Sequence, residues 1–323
     1  MSTLDDIVRG RLDGLPGADA AMAVLVAELS RLGAEDLSIA RLLEPHLDAV
    51  RILAQADRVA EPRALYGVWA SESSVPVRLA RAGRSMALNG SKQFCSGAGI
   101  CDRALVTARA DDGSRVLVDV DLREGRRRGT IDVDPSMWSS VAFADTATWT
   151  VEFRHHVLGD DPLVGPPGFY LDRPGFWTGA LGPVAVWVGG ATGLTAVAED
   201  IDALDGHQRA ALGEMRALCW AMDAQLAVAA GEADSEKDDA RAARRRALMM
   251  RHLVERGSLR VIELFGRCAG PRPMAFDAAV ARRLQELALS VRQVHSGAEL
   301  EELGGDDLGS PTSDTTDLEE AST

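Results

Sequence analysis

The sequence predicts an α+β fold in which helices come first, a β-domain follows and a helical bundle closes the chain. Two observations carry this. Apolar residues recur at helical spacing before about Asp57 and again after the Pro/Gly-rich stretch that ends near Trp177, whereas from Ala64 to Leu158 they fall in short alternating or β-branched runs broken by Gly and Asp. The composition is that of a globular chain of 323 residues, 46% apolar and 26% charged, but with only 5% aromatic residues, so the core must be built mostly of Ala, Leu and Val. The expected divisions are residues 1–63 (helical), 64–158 (antiparallel β-domain or barrel), 159–303 (four-helix bundle) and 304–323 (a disordered acidic tail).

In the first region, "AAMAVLVAELSRLG" puts Met22, Leu25, Val26, Leu29 and Leu32 on one helical face and ends at Gly33. "DLSIARLLEPHLDAVRILAQA" repeats the pattern, with Pro45 expected to kink the helix or break it in two. The strand region reads "LYGVWAS", "SMALNGSKQFCSG", "RALVTARA", "SRVLVDVDL", "GTIDVDP" and "TWTVEFRHHVL". Four long Ala/Leu-rich segments after Trp177 predict the bundle, and "GGDDLGSPTSDTTDLEEAST" lacks the apolar residues to order itself.

Charge excludes some functions. The formal net charge is −14; Glu301 to Thr323 carries eight acidic and no basic residues, leaving −6 on the rest, which gives nucleic-acid binding no support. The run "ARAARRR" (Arg241 to Arg246) beside "EADSEKDDA" reads as a charge-balanced exposed helix face. No apolar run is expected to span a membrane, the N-terminus does not resemble a signal peptide, and a cytoplasmic location follows as an expectation. Cys95, Cys101, Cys219 and Cys268 show neither CxxC pairing nor metal-ligand spacing, so reduced thiols and no metal site are expected.

"LNGSKQFCSGAG" (Leu88 to Gly99), which holds one of only two lysines, reads as a strand running into a loop of small residues, where backbone amides and a hydroxyl lie uncovered and suit a flat polar ring. The alternative is a plain buried strand with Ser96 capping a turn. Together with "LYGVWASE" and "LVGPPGFYLDRPGFWTGA", this segment resembles the acyl-CoA dehydrogenase family across the middle third of the chain. That resemblance implies FAD, with Phe94, Cys95 and Ser96 at the isoalloxazine, Ser96 at its N5 edge, and Val68, Trp69 and Ala70 lining the flavin and substrate through backbone groups. It also implies α,β-dehydrogenation of an acyl-CoA or other acyl thioester with hydride transfer to flavin N5, an electron-acceptor flavoprotein as a possible partner, and assembly into a homo-oligomer or a heteromer with a related subunit. Trp69 and the Phe176–Trp177 pair read equally as packing at a seam or hinge.

The resemblance leaves two gaps. No Arg or Lys lies between Arg173 and Arg209, where the family clamps the FAD pyrophosphate of the neighbouring protomer; Gly266 and Arg267, or Arg272, in "ELFGRCAGPRPM" are the replacements it suggests. The Tyr-Glu-Gly-type turn that carries the family's catalytic base is also missing. By position, His295 and then Glu299 are the candidates, with Glu72 next, and an exposed helical histidine is the competing reading of His295. Three functions follow as expectations: an FAD-dependent dehydrogenase, a catalytically degenerate subunit that works beside an active partner, or another flavin reaction on the same scaffold, such as oxidase chemistry on a non-thioester substrate.

Overall fold

The computed structural model describes residues 3–72, 75–83, 85–235 and 239–305; the expected acidic tail lies outside the described residues from 306 onward. A short helix α1 (Leu4–Arg9) precedes α2 (Met22–Glu35) and α3 (Leu37–Gln55). Seven strands follow: β1 (Tyr66–Trp69), β2 (Arg78–Ala82), β3 (Ser85–Cys95), β4 (Arg103–Ala110), β5 (Arg115–Asp121), then, after helix α4 (Leu122–Arg128), β6 (Ile131–Asp134) and β7 (Trp149–Val157). Two single-turn helices, α5 (Phe169–Asp172) and α6 (Phe176–Gly179), lead into α7 (Leu181–Glu199), α8 (Gly206–Ala233) and α9 (Ala240–Ala269). The chain ends with α10 (Pro271–Phe276), α11 (Ala278–Ser290) and α12 (Ser296–Gly304).

The predicted face of α2 is buried as expected, and it packs on α7. The two backbones touch: a Cβ on Gly33 would lie 2.4 Å from the Val186 carbonyl oxygen, one on Gly189 2.0 Å from that of Ser30, and one on Gly193 2.3 Å from that of Ala34. Only glycine permits this approach. It leaves α7 enclosed on nearly all sides, which is why that helix is apolar all round. The stretch Phe176–Glu199 is accordingly long and apolar enough to cross a membrane, contrary to the expectation that no run would be, yet most of it is buried within the protein.

Pro45 neither breaks nor ends α3, which is continuous through it. Asp36 explains how α3 starts: its carboxylate accepts from Ser38 N–H and Ile39 N–H while pairing with Arg282 of α11 at 2.6 Å. Asp234, at the end of α8, accepts from the free Met22 and Ala23 amides that open α2. The N- and C-terminal helices are therefore tied by caps as well as by apolar packing.

The sheet runs β1-β4-β2-β3-β7-β6, with β5 on the other edge of β4. The expected antiparallel sheet is mixed in fact. β1 and β2 lie one after the other along a single edge of β4, both parallel to it, with Tyr66–Trp69 against Arg103–Val106 and Arg78–Leu79 against Arg109–Ala110. The other ladders are antiparallel. β3 is long and kinked: its register with β7 slips between Leu88 and Gly90 and again between Lys92 and Cys95. The arginine run at the start of α9 is not uniformly exposed. Arg246 is buried and Arg244 lies over the Trp177 ring at 5.0 Å, leaving Arg241 and Arg245 outward.

Candidate active site

The second slip in β3 creates the site. Phe94 takes a left-handed φ of 56° there, which turns its ring out of the sheet and leaves the residue 49% exposed. Its neighbour Cys95 points the opposite way, fully buried, its thiol donating to the Lys92 carbonyl at 3.3 Å and its pKa pushed up by burial. The Cys95 side chain is thus a core group rather than a ligand contact. Ser96 follows, and its hydroxyl oxygen accepts from Arg41 Nε at 3.0 Å and lies 3.3 Å from Thr148 Oγ1.

Trp69 locks β1 to this turn, its indole Nε1 donating to the Ser96 carbonyl at 3.0 Å from a buried position. Below it, Lys92 is buried with its ammonium on Thr107 Oγ1 at 2.7 Å, and that hydroxyl donates to the Ala70 carbonyl at 3.4 Å. Lys92 of the Leu88–Gly99 segment therefore joins β3, β4 and the end of β1. Val68 packs instead against a separate apolar cluster that includes Ile52, Leu53 and Leu117. Tyr66 N–H donates to His46 Nδ1 at 3.3 Å, and burial pulls that imidazole down to about 4, so it stands neutral as an acceptor.

Beside the turn lies an open cleft, with about 330 Å³ of empty volume that extends out into the solvent at its mouth, walled by Phe143, Pro183, Val186 and Trp187 and floored by Arg41 and Glu44 of α3. Asp48, one turn further along α3, pairs with Arg173 at 3.5 Å; Arg173 in turn lies over the rings of Tyr170 and Phe176 at 4.7 and 5.3 Å. Phe176 meets Trp177 edge-on at 5.2 Å. The aromatic pair at this junction is thus stacked with arginines on both sides. A smaller hollow, with about 290 Å³ of free space, takes in Glu72, Thr107, Gly168 and Tyr170, and there Glu72 pairs with Arg109 at 3.4 Å.

The structure brings together Phe94, Ser96, Trp69 and Ala70. The other candidates lie elsewhere or are already engaged. Glu299 is buried, its two carboxylate oxygens accepting three bonds of 2.8–3.2 Å from Arg251, while His295 spends its backbone N–H on the same carboxylate at 3.2 Å. Arg251 itself lies over Trp187 at 5.7 Å, so Glu299 anchors a wall of the cleft. Gly266 and Arg267 sit near the far end of α9, about 22 Å along the helix axis from Arg251, and Arg267 pairs with Glu263 on its own helix. Arg41, Glu44 and Asp48 were not anticipated from the sequence. Their spacing along α3 marks a polar stripe, but such a stripe ordinarily faces solvent, and nothing in the spacing says that it faces a cavity.

The architecture matches that of known structures. TdsC, a dibenzothiophene monooxygenase from Paenibacillus sp. A11-2 solved with FMN and indole, superposes with a TM-score of 0.78 at 18% identity, over 93% of this chain and 88% of that one. This chain has the acyl-CoA dehydrogenase-like fold. The methanesulfinate monooxygenase MsuC from Pseudomonas fluorescens gives 0.74 at 16% identity over 88% and 82% of the two chains. A nitrososynthase from Micromonospora carbonacea var. africana gives 0.73 at 18% over 90% and 83%. No family model matches the sequence, nor does any curated protein.

The residues at the turn fit the ring of a flavin. An aromatic stands out of the sheet, and next to it a hydroxyl is held in place by Arg41. No Lys or Arg lies between Arg173 and Arg209 to supply the clamp that the resemblance places on the FAD pyrophosphate of a neighbouring protomer.

Proposed function

We propose that this protein is a flavin-dependent oxidoreductase that holds the flavin ring at Phe94 and Ser96, with its substrate in the cleft floored by α3. The observation that carries the reading is the Ser96 hydroxyl, held by Arg41 and set beside an aromatic that the β-bulge turns outward. Bound flavin supplies two-electron redox chemistry. The chain supplies orientation through Trp69 and Ser96, and shelter from water through the walls of the cleft.

FMN is favoured over the FAD expected from the resemblance, because the pyrophosphate clamp is missing and because FMN is the flavin named with TdsC. Oxygenation of a small organic molecule is favoured over dehydrogenation of an acyl thioester. Of the bases that the resemblance suggests, the Glu299 carboxylate is tied to Arg251 and is not free to take a substrate proton. Two of the similar structures are named as monooxygenases, which supports the same choice.

The test is titration of the purified protein with FMN and with FAD, followed by flavin fluorescence. FMN is expected to bind more tightly, and Ser96→Val to weaken it by roughly tenfold, the worth of one hydrogen bond of about 1–1.5 kcal/mol. Absence of uptake of either flavin in excess overturns the reading. Anaerobic bleaching of bound flavin by an acyl-CoA restores dehydrogenation in place of oxygenation.

A further inference from the structure

Arg41 and Glu44 share the floor of the cleft, three residues apart on α3, yet they do not pair with each other. Arg41 uses Nε on Ser96 and lies over the Phe143 ring at 5.3 Å; its two terminal nitrogens meet no acceptor among the described residues. The Glu44 carboxyl likewise has no hydrogen-bond or ion-pair partner among the described residues. This sets it apart from its neighbours. Asp48 is held by Arg173, Glu286 by Ser38 and Arg282, and Glu299 by Arg251. Room is even left for it: a Cβ on Gly182 of α7 would lie 3.0 Å from Glu44 Oε1.

Enclosure and the adjacent Asp48 both oppose ionisation of Glu44. Burial, then the Asp48 charge, push it up to about 8 against the partial opposition of Arg41, so at neutral pH it is chiefly a neutral acid with a proton to donate. The charged groups facing it are few. Arg41 and Asp48 come from α3 and Arg173 from the turn between α5 and α6; α7 presents Gly182, Pro183, Val186 and Trp187, and the end of α11 presents Ser290 and the following turn Gln293, none of which titrates. The floor therefore offers two donors, one of them cationic, beneath aromatic and aliphatic walls.

We propose that the cleft binds a small organic compound through an anionic or carbonyl oxygen, that oxygen bridging the Arg41 guanidinium and the Glu44 carboxyl. This names the substrate class of the oxidoreductase reading and rests on that reading only for calling the compound a substrate. The ligand class is set by donor chemistry: an ammonium finds no ionised acceptor here and meets the Arg41 charge, whereas an oxyanion or carbonyl meets donors on both sides. When Glu44 ionises, one donor becomes a repelling acceptor, so binding must weaken with rising pH.

The experiment uses the full-length protein without flavin, so that a failure of flavin uptake leaves it decisive. Benzoate, benzylamine and benzyl alcohol are titrated in by calorimetry. Benzoate is expected to bind best and to lose about tenfold in affinity between about pH 6.5 and about pH 9, a range over which it stays ionised itself. Glu44→Gln, which still donates a hydrogen bond, is expected to retain benzoate binding but flatten its pH dependence. Arg41→Met is expected to lose at least about tenfold for benzoate and clearly less for benzyl alcohol, whose neutral oxygen forfeits a hydrogen bond but no ion pair. Arg41→Lys should recover part of the loss. Tighter binding of benzylamine than benzoate, benzoate affinity indifferent to both substitutions, or no binding of any of the three probes overturns the proposal.

Discussion

Glu299 has 3% of its side chain exposed and is held by Arg251 at 2.8 Å, a pair whose desolvation has already been paid by burying both partners. Removing one side strands the other in the interior, so Glu299→Ala is expected to destabilise the protein by roughly 3–5 kcal/mol in urea unfolding. The double variant with Arg251→Ala should recover part of that loss, and flavin binding by material that remains folded should be unchanged. Unaltered stability with a lost reaction would return Glu299 to the chemistry. At this scale the sequence was legible where a residue's role follows from its local context. Phe94 and Ser96 in a strand that ends among small residues do lie together at an accessible turn. It was silent about Arg41 and Glu44, because a charged stripe on an amphipathic helix looks the same whether it faces water or a cavity, and only the placement of α7 and Phe143 across from it decides. For the same reason the ion-pair partner of Glu299, 48 residues away, could not be read from its position near the C-terminus.

The glycines of α7 govern how two elements meet. Gly189→Ala puts a methyl 2.0 Å from a backbone oxygen of α2, which no rotamer change can relieve. It is expected to cost at least roughly 1–3 kcal/mol by forcing the helices apart. Gly266→Ala in α9 is the contrasting case: nothing lies within 4 Å of the added atom, so it should stabilise by roughly 0.5–1 kcal/mol through helix propensity and leave flavin affinity as it was. Thermal melts of the two variants beside the wild type decide both. Element types follow from periodicity, and α2, α3 and the long bundle helices fall where their apolar faces predict. Strand direction does not. That β1 and β2 run parallel to β4 depends on how the chain returns through other parts of the fold, and alternation along a strand is the same in either direction. Nor did Pro45 act as a break, since the packing of α3 on both sides of it outweighs one lost helical bond.

At the scale of the whole molecule, the outer face of α8 is unusual for a surface. Gly213, Ala217, Trp220, Ala224, Ala227 and Gly231 are all exposed and follow one another at intervals of four, three, four, three and four residues, the spacing of a helix that packs on another helix. Trp220 is 76% exposed and Val228 beside the stripe 63%, while the charged residues Glu214, Arg216 and Asp223 flank it rather than interrupt it. Small residues let two helix backbones come close, and a self-complementary stripe on one chain suits the same stripe on a second copy related by a two-fold axis. The assembly anticipated from the sequence is therefore proposed as a homodimer through α8, with the tryptophans as its anchors. Light scattering of the wild type at micromolar concentration is expected to give twice the chain mass of 34.4 kDa. Ala224→Glu, which places an unpaired charge in the middle of the stripe, should give monomers with unchanged helical content, because that residue is exposed within its own chain. A monomeric wild type excludes the dimer, and a dimer that survives Ala224→Glu moves the interface to another face.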